Sequence, residues 1–261
     1  MADNKRIVLV GAGNVATHLG LALQQAGYEV LQVYSRTSDS ASSLAGRLKV
    51  SYTTSLEELS DKADLYIVSV KDAVLQTLLP SVVKGRESAL FVHTAGSIPM
   101  SVWEGVAPRH GVLYPMQTFS KQRAVDFNSV SFFLEANSTE DLESLKVLAS
   151  SMTPKVYEAN SEQRMSLHVA AVFACNFANH MYALCNRLLD KYGMPFESML
   201  PLIDETARKV HHLAPKEAQT GPAVRRDENV MNKHLEMLAE DPDLYGLYEK
   251  ISKSIQHISN D

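Results

Sequence analysis

The sequence contains little cysteine. Among 261 residues there are two, Cys175 and Cys185, and both fall in one predicted helix. Ten helical residues separate two backbone positions by roughly 15 Å, whereas a disulfide requires Cα atoms within about 7 Å. The two cysteines therefore cannot pair with each other, which fits a reducing compartment. Both are interpreted as buried structural thiols.

The sequence also lacks an excess of basic residues and any long apolar run. There are 25 Lys and Arg against 30 Asp and Glu, a net charge of −5, so nothing favours a nucleic-acid partner. No segment approaches the ~18 consecutive apolar residues of a membrane span. The N-terminal apolar run is too short for a signal peptide, so we expect a cytoplasmic protein. No H-E-x-x-H motif or closely spaced Cys/His set is present, and no metal site is predicted.

The pattern of apolar residues changes near the middle of the chain. Up to residue 159, short apolar strands alternate with helices, and one of these predicted helices covers residues 56–62. This alternation is typical of a doubly wound α/β fold with a parallel Rossmann sheet. From residue 160 onward only helices are predicted, beginning with one long helix over residues 161–192. We therefore predict a cofactor domain at residues 1–159 and an all-helical domain at residues 160–261.

A glycine motif follows the first predicted strand and opens the first predicted helix. Its G-x-G-x-x-A pattern begins at Gly11 and ends at Ala16. In a Rossmann fold the first glycine makes the tight turn, and the second lets the backbone approach the pyrophosphate of a dinucleotide. The N–H groups at the helix N-terminus then face the phosphates. The predicted cofactor-binding residues here are Gly11, Ala12, Gly13, Asn14 and Val15.

The end of the second predicted strand indicates which dinucleotide is bound. An NAD site usually has a carboxylate there, which accepts from the ribose hydroxyl. Here the chain has Ser35, Arg36 and Thr37, and the first carboxylate is Asp39. A guanidinium with neighbouring hydroxyls suits a 2′-phosphate, so the predicted cofactor is NADP. An ordinary solvated arginine is the alternative.

Polar residues also follow the next two central strands, at the edge where ligands bind in open α/β sheets. They form a further predicted set of cofactor-binding residues: Ser69, Val70, Lys71, His93 and Thr94. Two alternatives stay open. Lys71 could be a solvated loop charge, and His93 could be a structural histidine.

The helical half has two candidate groups. His168 and Asn176 interrupt an otherwise apolar helix, where they either face a wet cleft or bond within the helical core. His168 is the candidate acid or base, because imidazole exchanges protons near neutral pH, and Asn176 is the candidate that orients the substrate. Arg225 and Asp227 lie in a Gly-Pro turn and could bind an acidic substrate, or could serve as a helix cap and surface charge.

At these motifs the sequence resembles the NADP oxidoreductases related to pyrroline-5-carboxylate reductase and the deazaflavin-dependent NADP reductases, within the 6-phosphogluconate dehydrogenase-like superfamily. The motifs that carry the resemblance span nearly the whole chain: VGAGNVATHL, YSR, IVSVKD, HTAGS, LYPMQTF, LHVAAVFACNFANHM and TGPAVRRD. Gln117, in the fifth of these, is a further candidate for substrate binding. Tyr114 stands where many relatives would have His, so the resemblance assigns it no role.

The resemblance implies NADP(H)-dependent reduction of a small carbonyl or imine, or the reverse. Residues 173–177 lack the Ser- and Gly-rich run of pyrroline-5-carboxylate reductase, which argues against that particular reaction. The alternative is a non-catalytic NADP(H)-binding sensor or scaffold. Because the long helix is apolar on several sides and few helices follow it, we also expect a homodimer formed through the helical half.

Overall fold

The computed structural model describes residues 5–259. By its internal contacts the chain divides into two compact units, Met1–Asn176 and Phe177–Asp261. The sequence pattern places the domain boundary earlier, at residues 159 and 160, because it depends on where the strands stop. The division by contacts instead reflects what each helix packs against. The first helix after the last strand contacts the sheet-bearing unit and is therefore part of it.

Eight strands are present among the described residues of the first unit. They are β1 (Arg6–Val10), β2 (Glu29–Tyr34), β3 (Ser51–Thr53), β4 (Leu65–Val68), β5 (Leu90–His93), β6 (His110–Met116), β7 (Ser131–Ala136) and β8 (Val156–Glu158).

Ten α-helices are present along the described residues. They are α1 (Asn14–Gln25), α2 (Ser38–Leu48), α3 (Asp72–Val83), α4 (Thr139–Ser150), α5 (Ser161–Ala171), α6 (Ala178–Lys191), α7 (Leu200–Lys209), α8 (Pro215–Ala218), α9 (Glu228–Met237) and α10 (Pro242–Ile258). Short 3₁₀ turns occur at Met100–Trp103, Phe127–Ser129 and Phe196–Met199.

The strands form one sheet in the order β3-β2-β1-β4-β5-β6-β7-β8. All neighbours are parallel except β6 and β7, which are antiparallel. The chain order reverses between β1 and β4, which is the switch point where a Rossmann sheet binds its dinucleotide. The predicted fold, a doubly wound α/β sheet followed by helices, is confirmed.

The central strands are apolar because helices cover both faces of the sheet. The four residues of β4 are all buried, as are those of β5, which is typical of parallel strands. Two separate apolar clusters form, one on each face, with Leu9 in the first and Val10 in the second. Helix α1 packs so closely on the sheet that a Cβ at Gly20 would lie 2.7 Å from Cδ1 of Leu9.

Two sequence predictions need correction. Residues 56–62 form turns and not a helix, because side chains from elsewhere bond their backbone: the amide of Ser60 donates to Oε1 of Gln32 at 2.8 Å. The predicted long helix over residues 161–192 is helical but not uniformly α. A π-helical segment, Val172–Phe177, stands between α5 and α6.

The second unit has almost no buried side chains. Among its described residues only Ala223 and Ser252 are buried, although the unit contains the five α-helices α6 to α10. Several large apolar side chains are largely exposed, including Leu202 at 63%. Within the residues that the structure describes, no helix is both long and apolar enough to cross a membrane.

Candidate active site

The turn between β1 and α1 has the geometry that the glycine motif predicts. Gly11 has a φ of +125°, and a Cβ there would lie 2.1 Å from the carbonyl oxygen of Ser69. Only glycine fits this position. Gly13 precedes the first residue of α1, and no described side chain caps that helix end. A Cβ at Gly13 would have nothing within 4 Å, so the helix N-terminus is open to an anion.

The other predicted residues of this turn differ in accessibility. Ala12 is buried, Val15 is half-buried, and Asn14 is exposed. The side-chain amide of Asn14 donates to the carbonyl oxygen of Phe119 at 2.9 Å. Nε2 of His18, one turn further along α1, lies 2.8 Å from the carbonyl oxygen of Ser120. These contacts hold the loop after β6 against the beginning of α1.

The loop after β2 presents a cation and hydroxyls to solvent. Arg36 and Thr37 are exposed and Ser35 is half-buried. None of the described residues forms an ion pair with Arg36. Asp39, the first carboxylate, is in the first turn of α2. The donor set fits a phosphate ester, because it supplies positive charge and hydrogen-bond donors without a competing carboxylate.

The predicted cofactor-binding residues after β4 and β5 differ in accessibility. Ser69 and Val70 are half-buried, Lys71 is exposed just before α3, and Thr94 is buried. The imidazole of His93 is fully buried beside Trp103, and its Nδ1 accepts from the amide of Ala95 at 3.2 Å. Burial, with a smaller effect from the Arg164 charge, lowers the pKa of His93 to about 3. This burial favours the structural alternative for the imidazole, and cofactor contact by His93 stays a prediction.

A cavity of about 620 Å³ lies within the first unit, next to the loop that follows β6. It brings together three residues predicted from the sequence: Gln117, His168 and Asn176. The complete lining is Tyr114, Met116, Gln117, Thr118, Phe119, Leu167, His168, Ala170, Ala171, Val172, Ala174, Cys175 and Asn176. Through Phe119 this lining adjoins Asn14, at the glycine turn.

One turn before His168 in α5, Arg164 forms an ion pair with β7. Arg164 is fully buried, and its Nη1 lies 2.5 Å from Oε2 of Glu135 on β7. Ser161 donates to the same carboxylate oxygen at 2.9 Å. Residues four apart lie on the same face of a helix. His168 therefore lies on the face of α5 that Arg164 attaches to β7.

The predicted substrate residues of the second unit are in a turn before α9. Oδ1 of Asp227 accepts from the amide of Val230 at 3.2 Å, which makes Asp227 the N-cap of α9. Arg225 is exposed. A helix cap was the alternative to substrate binding that the sequence left open for Asp227. Substrate binding by Arg225 and Asp227 stays a prediction.

Comparison with known proteins assigns the chain to a family. Residues 6–95 match the family described as "NADP oxidoreductase coenzyme F420-dependent", and residues 130–255 match a domain of unknown function, DUF2520. The "putative NADP oxidoreductase BF3122" from Bacteroides fragilis is 60% identical, with a TM-score of 0.94 over 97% of this chain and 98% of that one. This chain belongs to the same NADP oxidoreductase family.

Two more distant structures share the fold. A pyrroline-5-carboxylate reductase from Coxiella burnetii is 14% identical, with a TM-score of 0.61 over 99% of this chain and 98% of that one. An imine reductase from Myxococcus stipitatus in complex with NADP+ is also 14% identical, with a TM-score of 0.63 over 98% of this chain and 93% of that one. A comparison with curated proteins gives no match.

Three features of this oxidoreductase were missed by sequence reasoning. Tyr114 lines the cavity, where its hydroxyl contacts His168. Asn176 is in the π-helical segment, a rare conformation that occurs often at functional sites. Cys175 is exposed at the cavity, so its interpretation as a buried thiol was wrong, and Cys185 is half-buried. The tyrosine in LYPMQTF was the one available signal for the first feature.

Proposed function

We propose that this oxidoreductase uses NADPH to reduce a small carbonyl or imine, or NADP+ for the reverse oxidation. The cavity beside the glycine turn carries the proposal. Its wall includes an imidazole, a phenol and two amides, which can hold a polar double bond, and apolar side chains that can cover the rest of a small molecule. Because Phe119 of this wall bonds Asn14, the cavity adjoins the turn that fits the cofactor.

The bound cofactor would supply or accept the hydride. The chain itself has to bind the substrate, exclude water and move one proton. His168 is proposed to take part in proton transfer, since imidazole is suited to it near neutral pH. Asn176 is proposed to orient the substrate through its amide. Arg36 is proposed to bind the 2′-phosphate that distinguishes NADP from NAD.

A substrate panel tests this function. The protein is incubated with NADPH and with keto acids, aldehydes and cyclic imines, and the absorbance of the reduced nicotinamide is followed. Enzyme-dependent oxidation of NADPH with one of these classes supports the proposal. Binding of NADPH with no reaction across all three classes contradicts it and favours the non-catalytic alternative.

We also propose that the protein is a homodimer formed through its helical unit. The observation behind this is the near absence of buried side chains in that unit, since a helical domain needs a covered apolar face to be stable. Large apolar side chains of this unit, such as Leu202, are exposed, which favours an interaction surface, and a second copy supplies the same apolar chemistry. Light scattering at micromolar concentration tests it, and a monomeric mass contradicts it.

A further inference from the structure

Tyr114 and His168 form a pair in the wall of the cavity. The phenol oxygen of Tyr114 lies 3.3 Å from Nδ1 of His168. The two ring centroids are 6.2 Å apart, with the planes at 66°. Tyr114 is 9% exposed on β6, and its ring packs against Phe133 of β7. The phenol is therefore held rigidly, with its hydroxyl directed toward the imidazole.

The pair lies against the loop that follows β5. A Cβ at Gly96 would be 2.7 Å from Nδ1 of His168 and 2.8 Å from Cζ of Tyr114. No larger residue fits there without displacing one of the two side chains. Since a Rossmann dinucleotide lies across the carboxyl ends of the strands, Gly96 places both polar groups next to the edge where the cofactor binds.

The Tyr114 phenol keeps its proton at neutral pH. Burial raises the pKa of Tyr114, the positive charge of Arg164 lowers it, and Cys175 raises it further, with a net upward shift. A buried hydroxyl that stays protonated and faces a cavity can donate to a substrate oxygen or nitrogen.

We propose that Tyr114 is the proton donor of this site and that His168 positions its hydroxyl and returns a proton to it after each reaction. The inference rests on the proposed reduction of a carbonyl or imine. With the imidazole proton on Nδ1, His168 donates to the phenol oxygen and leaves the phenol O–H free for the substrate.

The reduction consumes one hydride and one proton, and solvent finally replaces the proton. As the substrate carbon accepts the hydride that bound NADPH supplies, the phenol O–H bond breaks. Its proton forms the new O–H bond of an alcohol or the new N–H bond of an amine. The Tyr114 phenolate takes the Nδ1 proton of His168 in its imidazolium form, which leaves a neutral imidazole protonated on Nε2, and a proton from solvent then returns to Nδ1. In the oxidative direction each proton moves the opposite way.

Substituting Tyr114→Phe tests the donor role. It removes the hydroxyl and keeps the packing against Phe133, so melting temperature and NADPH affinity should match the wild type. Turnover should fall by about 10²- to 10⁴-fold, the usual contribution of a positioned acid. Tyr157→Phe is the matched control, because that ring also stacks on Phe133 but does not line the cavity. Wild-type turnover in Tyr114→Phe would overturn the proposal.

A spectroscopic titration provides a test that needs no substrate. Near-ultraviolet absorbance reports tyrosinate, and subtracting the Tyr114→Phe titration isolates Tyr114. His168→Leu removes the N–H donor that would stabilise the phenolate, so it should raise the pKa of Tyr114 further. His168→Gln keeps an N–H donor and should raise that pKa less. If no substrate class reacts with the wild type, the proposed function fails. An unchanged Tyr114 titration in His168→Leu would instead overturn the pairing.

Discussion

Arg164 is fully buried with its Nη1 2.5 Å from Oε2 of Glu135. Its Nη2 also donates to the carbonyl oxygen of Ile98 at 2.6 Å. The guanidinium thus ties α5 to β7 and to the loop after β5. His168 is one turn further along α5, so the ion pair fixes the helix that carries the imidazole.

Replacing Arg164 with methionine should destabilise the fold. Arg164→Met leaves the half-buried Glu135 carboxylate with only the Ser161 hydroxyl as a donor, so the loss should approach, but stay below, the cost of about 3–5 kcal/mol for a broken fully buried pair. Urea denaturation should show that loss in the free energy of unfolding. The double variant Arg164→Met with Glu135→Leu should recover most of it. An equal loss in both variants would mean that packing, and not the charge pair, is responsible.

Replacing Arg36 should change cofactor selectivity. A hydrogen bond to a charged phosphate contributes about 1.5–3 kcal/mol, so Arg36→Gln should weaken NADPH binding by roughly ten- to a hundredfold. NADH binding should not change, because NADH has no 2′-phosphate. Arg47→Gln, an exposed arginine at the other end of α2, is the control. Titration by nicotinamide fluorescence at fixed salt measures both affinities, and equal losses for the two cofactors would contradict the assignment.

His93 should make stability depend on pH. Its pKa is about 3 in the folded protein and about 6.5 when unfolded. Above pH ~6.5 neither state is protonated; as the pH falls from there toward 3, only the unfolded state takes up the proton. Stability should therefore fall by up to about 1.4 kcal/mol per pH unit across this window.

The variant His93→Asn isolates that dependence, because an amide oxygen can still accept from the amide of Ala95 but does not titrate. Its unfolding free energy should decline less steeply with acid than that of the wild type. His257→Asn, at an exposed histidine in α10, serves as the control. Parallel pH curves for the wild type and His93→Asn would show that the buried imidazole is not the cause.

The sequence predicted the parts of this protein that are local along the chain. The glycine turn is contiguous, and so are the strands that alternate with helices, which is why the Rossmann fold and NADP could be predicted from pattern. The pairing of Tyr114 with His168 could not, because it joins residues on β6 and α5 that only the folded sheet brings together. The π-helical segment could not either, because nothing in the residues VFACNF distinguishes a π-helical turn from an α-helical one. A cytoplasmic location remains a prediction of the sequence.

A charge at Gly13 should block the cofactor. There is space for a side chain there, so Gly13→Asp and Gly13→Asn should both fold, and either residue can cap α1. The aspartate would place a negative charge where the phosphates bind and should abolish measurable NADPH affinity. The matched asparagine should retain more of it, because the two differ mainly in charge. Equal affinities would mean that the cofactor does not bind at this turn.

The structure of the complex with NADPH tests the account most directly. The measured quantity is the distance from the nicotinamide ring to the Tyr114 hydroxyl, the His168 imidazole and the Asn176 amide. We predict that the nicotinamide ring lies beside Gly96. The three side-chain groups should then be close enough for one substrate molecule to contact both them and the ring. A nicotinamide more than about 10 Å from all three, beyond direct or single-water proton transfer, would contradict the assignment of this cavity as the active site.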